Sequence, residues 1–407
     1  MKRWWKRMAV VAAWLGVGVA VHAQGFTAGP YGAARMPEPL RYNPGPTPDL
    51  VPGPLTPQIA PMGPPSELSL PASHSNAYPI EPYSTEAGWY TSLGASFLRR
   101  YRRDSGISVF QDDPNNNLDT GTLSRNTLPP IANTRDVDPS YHLGGRFTLG
   151  YLLANQAWEF NGFYIPEADN RLQLGSQGRL ALGFTGPNGS IPLGFEGNNG
   201  LWTQADRVVM TFQTVTASAE ALYRLWNGGV NGTDLMIGFR YMHARERLSI
   251  FTDDEAFTTN EFGQSDPLRT ATYTSQVQTN FYGLTAGGEL SLPLWQNRVW
   301  LTGIGKLAYG VNQVQRTLSL YRGDGFRGFD VSQEKWQFGQ LYDLTLAFDI
   351  HLLEKARLRL GYQGLLLMGT TSPSSQINLD LSSPNSQPFG YRGLFYHGPQ
   401  IEFQMLF

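Results

Sequence analysis

From Trp89 to the C-terminus, apolar and polar residues alternate with a period of two. In the stretch YHLGGRFTLGYL, Tyr141, Leu143, Gly145, Phe147, Leu149 and Tyr151 share one face. His142, Gly144, Arg146, Thr148 and Gly150 share the other. This is the rhythm of a β-strand with one greasy and one polar side. Ten segments read the same way: Trp89–Leu98, Tyr141–Leu152, Ala157–Ile165, Thr214–Leu225, Leu235–Ile250, Val277–Leu292, Val299–Val311, Phe338–Leu352, Arg357–Gly369 and Phe395–Phe407. Arg207–Gln213 breaks parity with the strand that follows, which predicts a bulge or an extracellular extension there.

Most of these segments exceed the five or six residues usual in globular proteins and reach the roughly 9–11 that a tilted strand needs to cross a bilayer. The connections alternate in length. Short ones lie near Leu153–Gln156, Trp226–Thr233, Pro293–Arg298 and Leu353–Ala356. Long ones lie near Arg102–Ser140, Pro166–Asp206, Phe251–Ser275, Asn312–Gln337 and Thr370–Leu394. Long loops at one end and short turns at the other predict an all-β, transmembrane, antiparallel up-and-down β-barrel of about ten strands, with twelve as the alternative count. The chain ends IEFQMLF in mid-strand. In a barrel that strand closes against the first, with lipid covering Ile401, Phe403, Met405 and Phe407. Trp89, Trp158, Trp226 and Trp300 are candidates for the aromatic girdles.

The rest of the chain changes texture. Residues 1–23 combine a basic start, MKRWWKR, with the apolar run Met8–Val21 and a small residue at Ala23, the pattern of a cleaved secretory signal. Residues 24–87 are proline-rich, which blocks helix and central strand and predicts a disordered or polyproline II spacer in the periplasm. The barrel is assigned to 88–407. There is no cysteine, so disulfides and thiolate metal sites are absent. Formal charge is −2; without Lys2, Arg3, Lys6 and Arg7 it is −6, so nucleic acid is not an expected partner. Expected partners are outer-membrane lipid, the outer-membrane assembly machinery and cell-wall or surface ligands.

The stretches GWYTSLGASFLRR, GFRYMHARERLSI, TNFYGLTAGGELSL, GIGKLAYGVN, LRLGYQGLLLMG and FYHGP resemble the putative beta-barrel porin family of planctomycete-type bacteria, over roughly Gly88 to Phe407. The resemblance implies an outer-membrane barrel and brings no catalytic residues with it. The terminal aromatic Phe407, with the alternating apolar Phe403 and Met405, looks like the signal read by bacterial assembly machinery.

The polar faces should line the lumen. They carry Arg146, Arg224, Arg240, Lys306, Arg357 and Arg359 against Glu159, Glu220, Glu246, Glu289, Asp343, Asp349 and Glu402. Mixed signs in a ten-stranded barrel pair across the interior and fill it, because barrels near eight strands are filled by side chains while those of 16–18 hold water. Two functions follow: narrow passive passage of small solutes, or a plugged barrel acting through its long loops. Of the lumen residues, His142, Asp343, Asp349 and His351 are the types that acid–base chemistry would need. The sequence has no nucleophile elbow, H-E-x-x-H or phosphate loop, and an enzyme is not expected. DDPNNNLDTG clusters Asp112, Asp113, Asn115, Asn117 and Asp119 but lacks calcium-loop spacing and reads as a solvated turn. GFTGPNGSIPLGFEGNNG (183–200) could fold inward as a constriction or stand outward. No cofactor or metal is expected.

Overall fold

The computed structural model describes residues 87–407 apart from 103–105, 112–129, 138, 154–155, 183, 185–194, 196–204, 228–232, 255–265, 296–297, 354, 382 and 385. The signal and spacer readings, the Asp112–Asp119 turn and nearly all of 183–200 lie outside these residues. The strands are β1 (Gly88–Tyr101), β2 (Ser108–Gln111), β3 (Pro130–Asn133), β4 (His142–Leu153), β5 (Gln156–Ala181), β6 (Ala205–Asn227), β7 (Thr233–Asp253), β8 (Thr270–Trp295), β9 (Val299–Arg322), β10 (Arg327–Leu353), β11 (Ala356–Thr370) and β12 (Arg392–Leu406). One-turn helices occupy Thr134–Asp136, Pro267–Arg269 and Pro373–Gln376.

Ten strands form a closed antiparallel ring in which each pairs with its neighbour in the chain, β1 passing to β4 and β12 returning to β1. The short β2 and β3 extend this sheet from the far end of β5. The seam runs from Tyr90 opposite Leu406 to Tyr101 opposite Phe395, and the Phe407 amide donates to the Trp89 carbonyl at 2.8 Å. Closure leaves the ring without an edge, which is the condition for a sheet to sit in hydrocarbon. Phe407 is 66% exposed, on the outer face with Ile401, Phe403 and Met405.

Outward rows are apolar around the ring: Leu93, Phe147, Phe160, Ile237, Leu284, Tyr309, Phe348, Tyr362 and Phe403 are all large and exposed. On β9 this row runs from Val299 to Val311, about 40 Å of strand, which at a usual tilt near 40° spans roughly 30 Å. Trp89 and Trp158 belong to this outer surface. Trp300 does not: it is 5% exposed, points inward and packs near the His351 ring, because its even position on β9 lies on the inner face.

The strands run past the lipid band. Asn312–Gln337, expected as a loop, is a continuous β9–β10 hairpin turning at Asp324–Gly325. β5, β6, β7 and β8 likewise extend into segments expected to be loops. In these extensions the two faces exchange character without a change of register. On β9, Gln313, Gln315, Thr317 and Ser319 continue the outward row, while Val314, Leu318 and Leu320 are buried inside. The same exchange explains the parity break at Arg207–Gln213. β6 holds one register against β7 throughout, with no bulge of its own. Its inward row simply passes from Glu220 and Ser218 to Phe212, Met210 and Val208. The bulge sits on the neighbour, between Ile165 and Ala168 of β5.

Above the lipid band only β5 to β10 continue, and their inner faces carry an apolar core. Val208, Met210, Phe212, Leu248, Ile250, Tyr273, Leu318 and Leu320 pack with Ile107, Val109, Val137, Ile377 and Leu381 from the β1–β4 and β11–β12 connections. Arg316, almost wholly buried, fastens the second connection: it donates to Gln376 Oε1 and the Gln387 carbonyl, both at 2.7 Å, and lies over the Phe389 ring. At the start of that connection Gly369 adopts φ +79, where a Cβ would meet the Phe338 carbonyl oxygen at 2.1 Å.

Candidate functional site

The candidate site is the interior of the ring, and it is layered. Going from the turn end to the loop end, charged inward side chains give way to an apolar layer drawn from most of the ring strands, and on β5 to β10 to the upper core beyond it. On β7 the inward row is Asp234, Met236, Gly238, Arg240, Met242, Ala244, Glu246, Leu248. On β10, read in the same direction, it is His351, Asp349, Ala347, Thr345, Asp343, Leu341.

Nearest the turns, Arg224 gathers three carboxylates: Glu159 at 2.9 Å, Glu289 at 2.7 Å and Asp234 at 3.3 Å. Tyr90 also donates to Glu159, its ring occupying the space a Cβ on Gly150 would fill. Arg359 grips Asp349 with two nitrogens at 2.7 and 2.8 Å and reaches Glu289 at 3.0 Å. Arg357 stands 3.5 Å from Asp349 and donates to Gln404 at 2.6 Å. Higher in the layer, Arg240 pairs with Asp343 at 2.8 Å, Lys306 with Glu220 at 2.5 Å and Arg146 with Glu402 at 2.9 Å. Gln363 donates to Asp343 and Ser92 to Glu402. Among the described residues, six cations (Arg146, Arg224, Arg240, Lys306, Arg357, Arg359) thus face seven carboxylates (Glu159, Glu220, Asp234, Glu289, Asp343, Asp349, Glu402) in this layer. Such groups, taken from water, hold together only if each finds partners.

Above the charges comes an apolar layer. Leu98, Phe163, Ile165, Met242, Ala244, Phe281, Ala308, Leu341, Leu365, Leu367, Leu394 and Tyr396 form one buried cluster, drawn from eight of the ten ring strands. Side chains from so many walls of a closed ring meet across its lumen. Over this layer lies one more ion pair, Arg100 and Glu246 at 2.5 Å, with Tyr396 donating to Glu246.

Glu246 therefore stands apart from the other twelve lumen candidates, on the far side of the apolar layer. The four candidate acid–base groups are not one set. His142 lies at the loop end of β4 beside Ser140, and His351 lies near the turn end of β10. Asp343 and Asp349 are each taken up by an arginine. Sequence reasoning did not find Tyr90, Arg100, Asp234 or Arg316, nor the apolar layer. One signal for the layer was available: GLLLMG on β11 is apolar on both faces, as in a strand covered on both sides.

A cavity of about 90 Å³ lies within the charged layer, lined among others by Arg146, Asn161, Glu220, Lys306, Gln363 and Gln400. At about 15 Å³ of accessible volume per water it has room for a handful of waters. No cluster of three metal-ligating side chains occurs among the described residues.

A family model described as Putative beta barrel porin-7 matches residues 109–322. That is more than half of the chain, and the chain belongs to this family. No curated protein matches it. Among solved structures, the outer membrane protease OmpT from Escherichia coli is similar at 8% identity and a TM-score of 0.35, over 80% of this chain and 98% of its own. The toluene transporter TodX of P. putida is similar at 9% identity and 0.30, over 79% and 90%. A major outer membrane protein from Thermus thermophilus is similar at 11% and 0.26, over 79% and 99%.

Proposed function

We propose that this member of the family is a porin-type outer-membrane barrel whose lumen is closed at rest, so that its standing role is exercised from its loop end. The observation that carries this reading is the apolar layer between Leu98 and Leu394. Burying a Leu or Phe side chain is worth ~1.5–3 kcal/mol, so wetting four of them costs roughly 6–12 kcal/mol. A spontaneous open state is then too rare to support steady flux. The ion-paired network below the layer and the apolar core above it favour the same reading. The long strands past the lipid band and the packed connections at their end offer a surface for cell-wall or surface ligands. Phe403, Met405 and Phe407, on the lipid face of the closing strand, support recognition by the assembly machinery.

Narrow passage of small solutes is the second reading. The cavity below the apolar layer favours it, since it supplies half of a polar path. Single-channel recording of the refolded chain in a planar bilayer tests between them. A membrane-inserted, electrically silent barrel is expected. Stable, reproducible conductance steps from the unmodified chain would overturn the closed reading in favour of the porin.

A further inference from the structure

We infer that the cavity in the charged layer is a binding site for one small monovalent anion of the size of chloride, held by Arg146, Lys306 and Arg357. The sign of the space is set by the charges that face it. All six cations of the layer line the cavity, but only four of its seven carboxylates do. Asp234, Glu289 and Asp349 are not on the wall and engage Arg224 and Arg359 from outside it. A low-dielectric wall with a surplus of one sign concentrates its field in the space it encloses, and here that field is positive.

The hydrogen bonds point the same way. Among the described residues, Glu220 is the one hydrogen-bond partner of the Lys306 ammonium, at 2.5 Å, so two of its three donors are unspent. Arg357 donates through Nε to Gln404 at 2.6 Å and meets Asp349 only at 3.5 Å, since Arg359 already grips that carboxylate. Arg146 spends Nε on Glu402 at 2.9 Å and Nη1 on Gln400 and Gln363, which leaves Nη2. The side-chain oxygens of Gln400 and Gln404 are taken by these arginines, so their amide nitrogens add further donors to the wall. Acceptors, by contrast, are nearly used up. Glu159, Asp343 and Glu402 each engage donors at both carboxylate oxygens, and Glu220 Oε1 faces the Arg240 guanidinium at 3.8 Å. Unspent cationic donors around spent acceptors suit an anion, which they would hold by charge-assisted hydrogen bonds. Arg146, Lys306 and Arg357 are also the most open of the six, at 21%, 14% and 17% exposure against no more than 11% for the others.

The volume of about 90 Å³ admits a halide with some of its water and excludes a bulky organic anion. A multivalent anion is a poorer match, because the layer as a whole has one more carboxylate than it has cations. The inference goes beyond the closed-lumen reading and does not depend on it, since the cavity lies below the apolar layer whether that layer is sealed or open.

The test uses the refolded full chain in detergent at neutral pH, in sodium chloride or sodium gluconate at matched ionic strength. ³⁵Cl line broadening should titrate to one site per chain, and the thermal midpoint should rise saturably with chloride but not with gluconate. Arg357→Gln, which leaves Asp349 in the grip of Arg359, should weaken chloride binding at least several-fold in a barrel that still shows heat-dependent gel mobility. Lys306→Gln should do the same and serves if Arg357→Gln does not fold. Arg171→Gln, on the exposed extension of β5, should leave binding unchanged. Equal responses to the two anions would show general screening and overturn the site. Chloride binding that survives both cavity substitutions in folded barrels would place it elsewhere and overturn the site equally.

Discussion

Tyr309 and Gln313 lie on one outward row of β9, four residues apart, and between them the outer wall changes its surroundings. Tyr309 is half exposed among apolar neighbours and stacks near Phe338. Gln313 accepts from Asn280 and donates to Glu334, in a polar ladder continued by His243 and Tyr241 on Asn280. The lipid band therefore ends between these two residues on this side of the ring.

That boundary predicts opposite fates for two arginine substitutions. Leu284 is 71% exposed in the middle of the outward apolar row. Leu284→Arg should cost about 2–4 kcal/mol in unfolding from lipid vesicles, the range for a lipid-facing cation near the midplane. Gln278→Arg, three strand rows higher on β8, should cost within about 1 kcal/mol. Equal costs would misplace the band.

The apolar layer predicts a gain of function. A triple variant, Leu98→Ala, Phe281→Ala and Leu341→Ala, removes bulk from three walls of one cluster. It should show conductance steps in the planar bilayer where the unmodified chain is silent. Continued silence from a correctly inserted triple variant would place the seal elsewhere, in the upper core.

Arg224 is the hub of the network, with three carboxylates around it. Arg224→Met should destabilise the barrel by about 3–5 kcal/mol, because it leaves buried acids unpaired rather than because the pairs themselves are strongly stabilising. Denaturant unfolding measures the loss. A triple variant that also neutralises Glu159 and Asp234 should recover part of it.

Gly369 begins the connection that covers the loop end. Gly369→Ala forces a side chain into positive φ and against the Phe338 carbonyl, at a cost of about 1–3 kcal/mol. Residues 371–391 should become the first site of limited proteolysis, ahead of any cut in the strands.

The tip of the β9–β10 hairpin reports on pH. Hydrogen bonds from Arg322, helped by the Phe326 amide, hold the Asp324 carboxyl down to about 2, from an ordinary 3.8. A carboxyl depressed on folding contributes order that is complete above 3.8 and is lost as pH falls through about 2. The protection of the Phe326 amide against exchange, taken relative to the intrinsic rate at each pH, should therefore stay constant down to about pH 4 and fall below it.

The period-two alternation by itself determined the fold. Ten amphipathic segments, a short–long rhythm of connections and an apolar closing strand admit one arrangement in hydrocarbon, a closed ring of even strand number. Local pattern is enough there because lipid imposes one rule on every outward side chain. The interior follows no such single rule. Whether an inward residue meets a charge, an apolar layer or a packed loop depends on what the other nine strands place at the same height. Register across the ring decides that, and one strand does not carry it. Phe212 and Glu220 share an inward row, yet one belongs to an apolar core and the other to an ion network. This is why the extensions of β6 and β9 read as broken strands or loops: the outward face turns polar and the inward face apolar beyond the lipid, and a pattern tuned to one solvent loses the strand as it enters another. Arg100 and Glu246 illustrate the same limit. They lie 146 residues apart on non-adjacent strands, and only closure of the ring brings them together.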